Sequence, residues 1–392
     1  MRKIQGELRL LLKKRQQALL HKQGRAAKMS RLNDRISKQR LRKFRERHAE
    51  YFRLKEQREH FRRQLYRGSY TKPPAIVEIS GDFGIEDSGG IDYFLDRANA
   101  IIDFKNTQLT LKLTNCTRVW PSAITLLCSL MQWVELSTRM SKRPLLGSTA
   151  SSSDKVNSYL DYSGFYNYVK RPPDNAKQDY YSDKEIVKIQ RETLSSNIEP
   201  REDKIVGLLE QFSALTSEQI ELFNCKVLTE TFNNVTEHGV SYHDRGWWVL
   251  AQYHKTHGII SLCIADNGIG IRNTLMTGPQ AADISKKIDN THLNDGQFIK
   301  MAIEEIVSGA LEAPLKSAGI FTKKYESGAH RGNGLKRISD TCKNLSMPFA
   351  ILSHHGYAFL DKNGNIVKNG SMPNRVFAGT FCHFLIPARK EI

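Results

Sequence analysis

The hydrophobic positions along the chain follow three different patterns. In residues 1–67 they recur at roughly helical spacing from Leu8 to Leu65, but they do not hold a strict heptad. This stretch lacks proline and is rich in Leu, Lys, Arg, Gln and Glu, which are good helix formers. The pattern predicts a helical arm over residues 1–70, which ends where Pro73 and Pro74 forbid its continuation.

The second pattern alternates short apolar runs with amphipathic stretches and is typical of a small α/β domain over residues 73–145. Its predicted strands and helices are Ala75–Ile79, Ile91–Asp103, Leu109–Leu113 and Ser122–Ser137. Residues 146–203 are rich in Ser, Pro, Tyr and Asp. That composition predicts a linker with partial structure, and the tyrosines indicate that part of it packs against the protein.

The third pattern covers residues 204–392. Apolar residues at helical spacing predict one amphipathic helix over Ser217–His238. Two further strands are predicted at Trp247–Tyr253 and Gly258–Ala265, and a helix at Leu335–Asn344. A last strand, which contains Thr380, closes the chain. The expected fold class of the protein is therefore α/β.

Charge divides the chain at the end of the arm. Of the net charge of +18, residues 1–70 contribute 23 Lys and Arg against 6 Asp and Glu, whereas the rest of the chain carries 36 against 35. Such an arm would attract phosphate backbones or an acidic protein surface. The residues that we single out for this role are Arg40, Arg42, Lys43, Arg45 and Arg47. The alternative is a solvated helix that packs one stripe on the body or on a second subunit.

Composition also disfavours several classes of protein. Apolar stretches are too short for a membrane helix, and the N-terminus lacks the apolar core of a signal peptide, so we expect no membrane association and a cytoplasmic location. The six cysteines are scattered without a CxxC pair, which indicates buried free thiols rather than a zinc site or a disulfide framework. A Walker-type phosphate loop is missing as well.

Candidate chemistry is concentrated in three motifs of the C-terminal half. Glu230, Asn234 and His238 are each four residues apart, so they share one ridge of the predicted helix and could serve as general base, metal ligand and phosphate neighbour. Asp266 ends a strand and is followed by a glycine-containing turn, where a ring with an exocyclic amine could dock. The stretch 331–335 opens a helix with two glycines beside Arg331, an arrangement suited to anions.

These motifs, in this order, resemble the ATP-binding domain of the GHKL superfamily, the Bergerat fold shared by gyrase, a heat-shock chaperone, histidine kinases and MutL. The resemblance covers residues 204–392. It implies an α/β sandwich that holds ATP between helices and a mixed sheet. It also implies that residues 272–331 form the ATP lid.

The resemblance assigns roles to individual residues. Glu230 matches the catalytic base, Asn234 the Mg²⁺ ligand and Asp266 the acceptor for the adenine amine. The remaining cofactor-binding positions, which shape the purine pocket, hold the phosphates or support the adenine through water, are Gly268, Gly270, Gly332, Asn333, Gly334, Leu335 and Thr380. The sequence motif from Glu230 to Gly239 is most similar to that of the anti-sigma-factor serine kinases.

Residues 73–145 resemble, more loosely, a STAS domain, the antagonist module of anti-sigma factors. Ser122 stands where that family has a phosphorylated serine at a helix start. The family's usual Asp and Ser-Gly pair are missing, however, and a plain N-cap is the alternative interpretation of Ser122.

Three functional hypotheses follow. The first is an Mg-ATP-binding switch protein that hydrolyses ATP and couples nucleotide state to a protein or nucleic-acid partner, with slow turnover if activity needs a homodimer. The second is a protein serine/threonine kinase that presents a hydroxyl, in place of water, to the same phosphate. The third is a nucleic-acid-binding protein whose ATP domain only senses nucleotide.

Overall fold

The structure is a computed structural model. The residues that it describes are 75–86, 90–102, 108–137, 145–167, 182, 184–192, 198–235, 246–277, 293–304, 334–373 and 377–389. All of them belong to one compact unit, which comprises residues 65–312 and 329–392. The predicted basic arm, with Arg40, Arg42, Lys43, Arg45 and Arg47, lies outside the described residues.

The first part of the described chain is a small α/β layer with parallel strands. Its elements are β1 (Ala75–Glu78), β2 (Gly81–Phe83), α1 (Ile91–Ile102), β3 (Gln108–Lys112), β4 (Cys116–Val119), α2 (Pro121–Ser137), β5 (Leu145–Thr149) and α3 (Asp154–Tyr162). β3 lies between β1 and β5 and pairs in parallel with both, while β2 pairs in parallel with β4. The four predicted elements of this domain are thus present, within a few residues of their predicted bounds.

The second part is built on a seven-stranded sheet. Its elements are β6 (Ile186–Glu192), α4 (Glu199–Phe212), α5 (Ser217–Phe223), α6 (Thr229–Asn234), β7 (Trp247–His254), β8 (Ile259–Asp266), α7 (Gly270–Thr277), α8 (Asp295–Glu304), α9 (Gly334–Asn344), β9 (Phe349–His354), β10 (Gly356–Leu360), β11 (Ile366–Ser371) and β12 (Phe377–Pro387). The strand order is β11-β10-β9-β12-β8-β7-β6. The predicted linker therefore contributes β6 to this sheet and most of β5 to the smaller one.

The described strands of the large sheet are antiparallel at every pairing. The expectation of a mixed sheet is therefore wrong for these strands. For three of the six pairings the reason is local: β7 and β8, β9 and β10, and β10 and β11 are joined by short turns, and a short turn can connect only antiparallel neighbours.

Both faces of the large sheet are buried at its strands β7 and β8. In β7, Trp247 and Val249 enter a core formed with helices α4–α9, whereas Trp248 and Leu250 enter a second core formed with α1–α3, and all four side chains are fully buried. This explains why β7 and β8 are apolar almost throughout instead of alternating with polar residues. The small α/β layer thus covers the face of the sheet opposite helices α4–α9.

The protein is of the α/β class, as expected. Among the described helices, none combines the length and the apolar character that crossing a lipid bilayer requires.

Candidate functional site

The first part of the candidate site lies on the helical segment that begins at Ser217. The predicted single helix is interrupted by one wider turn, Asn224–Leu228, in which the Thr229 amide bonds the Asn224 carbonyl five residues earlier. Such π turns are rare and often occur at functional sites, because the extra residue rotates the helix face that follows. The face that follows carries Glu230, near the start of α6, and Asn234, one turn later at its end. Both residues are half-buried.

The N-terminus of α9 meets this face. Gly334 is the first residue of α9, and a methyl group in place of its hydrogen would lie 3.3 Å from Glu230 Oε2 and 3.4 Å from both side-chain polar atoms of Asn234. The main-chain amides at the start of a helix point outward and carry partial positive charge. A carboxylate, an amide and a helix N-terminus are therefore gathered at one point.

Arg337 belongs to the same cluster. Its Nη1 donates to Glu230 Oε1 at 2.8 Å, and the two side chains are 31% and 22% exposed. Since Arg337 lies three residues after Gly334, both project from the same side of α9. Sequence analysis missed this residue, although its spacing from the glycine motif was a usable signal.

The second part of the candidate site is the end of β8. Asp266 is buried at 5% exposure, and its Oδ1 accepts a hydrogen bond from the Gly268 amide at 2.6 Å. Any side chain at Gly379 would collide with the Asp266 carboxylate and the Gly268 amide. The lack of a side chain at Gly379 therefore lets the turn at Asp266 and Gly268 pack directly against β12.

Strand alternation places Asp266 on the helical side of the sheet. Its cross-strand partner Trp247 lies in the core of α4–α9 and packs against Phe232 of α6 at 5.4 Å between ring centroids. Thr380 follows Gly379 and shares its face with Cys382, which belongs to the same core. The side chains of Asp266 and Thr380 therefore lie on the face of the sheet that packs against the helices with Glu230 and Gly334.

The turn after Asp266 is held in a demanding conformation. Gly270 has φ of +73°, and a side chain there would strike the ring of His354. His354 Nε2 lies 2.5 Å from the Ile269 carbonyl oxygen, and Ser353 Oγ accepts from the Ile271 amide while donating to the Gly379 carbonyl. The glycine is required for steric reasons, and β9 fixes the turn against β12.

Asp266 is the carboxylate that sets the local charge at this strand end. Burial and the Asp266 carboxylate both raise the pKa of the Cys382 thiol well above its usual range, so that the thiol stays neutral. The site therefore presents one buried carboxylate at the strand end, and a half-buried carboxylate paired with Arg337 at the helix end.

The predicted site residues fall into three groups. The structure brings Glu230, Asn234 and Gly334 together, and it places Asp266, Gly268 and Thr380 along one strand end with Gly270 in the following turn. Leu335 is half-buried and packs against the core of α4–α9. The predicted residues outside the described chain are His238, Arg331, Gly332 and Asn333.

Ser122 requires a correction in both of its interpretations. It lies inside the first turn of α2, its amide donates to the Glu86 carboxylate at 2.9 Å, and its hydroxyl accepts from the Ile85 amide at 3.0 Å rather than from an amide of α2. Its hydroxyl donates to Glu86 at 2.5 Å, and the residue is fully buried. Ser122 is therefore not the N-cap, and its hydroxyl is out of reach of a phosphoryl donor in this structure.

Comparisons of the chain with protein-family models, with curated proteins and with solved structures find no match.

Proposed function

We propose that this protein is an Mg-ATP-binding switch of the GHKL type, which hydrolyses ATP slowly and couples its nucleotide state to a protein or nucleic-acid partner. The observation that carries the proposal is the meeting of Glu230, Asn234 and Gly334, which are distant in sequence and belong to two separate motifs. A structural role alone does not require a carboxylate, an amide and the first turn of a helix at one point.

The residues fit the phosphate end of the nucleotide. The missing side chain of Gly334 leaves room beside Asn234, whose amide oxygen is a suitable ligand for a hard cation such as Mg²⁺. The helix N-terminus and Arg337 supply positive charge for phosphate oxygens.

The residues also fit the adenine end. Asp266 is a buried hydrogen-bond acceptor at a strand end, and the glycines at positions 268 and 379 add no side chains beside it. A flat ring with an exocyclic amine can approach such a surface closely, and the carboxylate distinguishes an amino group from a carbonyl oxygen.

Mg-ATP, when bound, supplies the phosphoryl group that is transferred. Glu230 orients and deprotonates the attacking water, while Asn234 and the amides of α9 stabilise the charge that develops. Arg337 now holds Glu230 in an ion pair, and it can exchange this carboxylate for a phosphate oxygen. Glu230 would then be released toward water only when the site is filled.

The decisive experiment follows the terminal phosphate of labelled Mg-ATP with the full chain. We expect free labelled phosphate from the wild type, no release but retained binding from Glu230→Gln, and loss of both from Asn234→Ala. Matched controls on the same helical segment are Glu221→Gln and Asn233→Ala, whose side chains are exposed and which should behave as the wild type. Absence of ATP binding by the wild type, or binding untouched by Asn234→Ala, would refute the proposal.

The same assay separates the rival activities. Label on a protein serine or threonine would establish a kinase, and bound but unchanged ATP would establish a sensor. Deletion of residues 1–67 tests the partner: salt-dependent nucleic-acid binding that disappears with the arm would identify nucleic acid.

A further inference from the structure

A buried polar cluster joins the small α/β layer to the large sheet. It contains Glu86, from the segment after β2, together with Cys263 of β8 and His383 of β12. The Glu86 and His383 side chains are 0% and 3% exposed, and Cys263 is fully buried. The cluster lies on the face of the sheet opposite the candidate nucleotide site, since its strand residues alternate with Ile264 and Cys382, which face that site's helices.

The geometry of the cluster is compact. The ligand atoms of Glu86, Cys263 and His383 all lie within 4.8 Å of one another, and Glu86 Oε1 is 3.5 Å from His383 Nε2. Ser261 lies among them, with its Oγ 2.8 Å from Glu86 Oε1, 3.0 Å from His383 Nε2 and 3.8 Å from Cys263 Sγ. Metal–ligand bonds of about 2.0 to 2.3 Å in a tetrahedral zinc site separate neighbouring ligand atoms by about 3.3 to 3.8 Å.

The Glu86 carboxylate is oriented by a shell of hydrogen bonds. Its Oε2 accepts from the Ile85 amide at 3.0 Å and from Ser122 Oγ, and its Oε1 accepts from the Ser122 amide at 2.9 Å. Ile85 and Ser122 thus turn Oε1 toward Ser261 and His383. Outer partners of this kind are typical of carboxylates that bind metals, because they fix the direction of the ligating oxygen.

A bound cation would suit the charge of the cluster. A carboxylate removed from water is costly unless a positive charge balances it. In the described part of the chain, the groups that contact the Glu86 carboxylate are amides, hydroxyls and an imidazole, with no Lys or Arg among them. A divalent ion bound by one carboxylate and one thiolate would leave the buried site with no net charge.

We propose that Glu86, Cys263 and His383 bind one divalent transition-metal ion of the zinc class, with the Ser261 hydroxyl as the fourth donor. The oxygen, nitrogen and sulfur set suits zinc better than the oxygen-seeking Mg²⁺ or Ca²⁺. On binding, the Cys263 thiol loses its proton to solvent and its sulfur forms the bond to the metal.

The site would act as a staple between the two layers of the protein. Glu86 belongs to the small α/β layer, whereas Cys263 and His383 belong to adjacent strands of the large sheet. This inference is independent of nucleotide binding. The sequence argued against zinc because it has no CxxC pair, and only the fold brings the single cysteine beside residues 177 positions upstream and 120 positions downstream.

The test uses the full chain, stripped with a chelator and then dialysed against Zn²⁺ or Co²⁺. We expect one equivalent of zinc per chain, and a cobalt complex with a thiolate-to-metal charge-transfer band and tetrahedral ligand-field bands. Cys263→Ser should lose the charge-transfer band and the stoichiometric zinc. Cys382→Ser is the matched control, because this buried cysteine is adjacent to His383 in sequence but faces the other side of the sheet, and it should retain both.

A second variant protects the test against simple misfolding. Ser122→Ala removes one hydrogen bond that orients Glu86 but leaves all ligands in place, and it should weaken zinc binding about 10- to 100-fold without abolishing it. The proposal is overturned if the wild type takes up no stoichiometric zinc or cobalt, or if its cobalt spectrum lacks the thiolate band. Equal uptake by the wild type and Cys263→Ser would overturn it as well.

Discussion

The side chain of Asn267 links the turn of the candidate nucleotide site to the small α/β layer: its Nδ2 donates to the main-chain oxygen of Ser129 in α2 at 3.3 Å. Asn267 is buried at 2% exposure, between Asp266 and Gly268, which belong to the candidate site. If ligand binding shifts this turn, the hydrogen bond would transmit the displacement directly to α2. This contact gives the proposed switch a physical route between its two layers.

Replacing Asn267 by alanine should both destabilise the protein and weaken the coupling of its layers. The change removes one buried hydrogen bond to the Ser129 carbonyl, which lies within α2, and this costs about 0.5 to 1.5 kcal/mol of unfolding free energy, measurable by urea titration. Ser129→Ala is the control, since its hydroxyl bonds the Leu126 carbonyl and its own carbonyl is retained. If Ser129→Ala shifts nucleotide affinity as much as Asn267→Ala does, the contact is not the route.

The ion pair between Glu230 and Arg337 should behave differently from a pair on the surface. Because both side chains are half-buried, we expect a coupling free energy of about 0.5 to 1 kcal/mol in a double-mutant cycle with Glu230→Gln and Arg337→Ala, read from thermal unfolding. The more exposed pair of Lys336 and Asp340, in the same helix, should give about 0.3 to 0.5 kcal/mol.

The same substitutions also test the exchange proposed for Arg337. Arg337→Ala should weaken ATP binding about 10-fold or more, because a hydrogen bond to a charged group contributes about 1.5 to 3 kcal/mol. Arg337→Lys should restore only part of this affinity, since lysine cannot bond two oxygens in the planar geometry of arginine. Unchanged ATP affinity in Arg337→Ala would remove the phosphate-binding role.

A methyl group at Gly379 should damage the site, whereas one at Gly207 should help the fold. Gly379→Ala forces atoms against Asp266 and Gly268, with an expected cost of about 1 to 3 kcal/mol and a loss of nucleotide affinity. Gly207 lies within α4 with open space around it, so Gly207→Ala should stabilise the protein by about 0.5 to 1 kcal/mol. Thermal unfolding of the two variants tests both predicted stability changes. Similar shifts of the unfolding temperature in the same direction would contradict the packing argument.

Sequence patterns predicted the local elements better than their assembly. The helix that carries Glu230 and Asn234, the strand that ends at Asp266 and the helix that begins with glycine are all present, because each depends on periodicity and short-range chemistry. The π turn at Asn224–Leu228 has no comparable signal, since it depends on packing. The second buried face of the sheet was also missed, because an apolar strand does not reveal which element covers it.

Contacts between distant residues were the hardest to foresee. Ser122 looked like a helix cap, but Glu86, 36 residues earlier, supplies the bonds that its position needs. Asn267 stood in a recognised motif, yet its partner Ser129 is 138 residues away and contributes only a main-chain oxygen. Side-chain identity carries no information about such a partner, so these relationships required the structure.

The stability of the protein should depend on pH through His254. Its ring packs at a tilt against Trp120, with 4.8 Å between ring centroids, and its Nε2 is buried without a hydrogen-bond partner. Burial, followed by the nearby His257, Arg118 and His383, lowers the pKa of His254 from 6.5 to about 3. The unfolded chain therefore binds this proton at a higher pH than the folded chain does.

This difference sets the sign of the effect. Between about pH 6.5 and pH 3 the unfolded state holds the extra proton, so the contribution of His254 to stability is lost as the pH falls, by at most about 1.4 kcal/mol per pH unit. Urea unfolding between about pH 7 and pH 4 should show a smaller decline for His254→Phe than for the wild type. His257→Gln, a change at the exposed neighbour, should keep most of the decline, and parallel curves for His254→Phe and the wild type would disprove the role of His254.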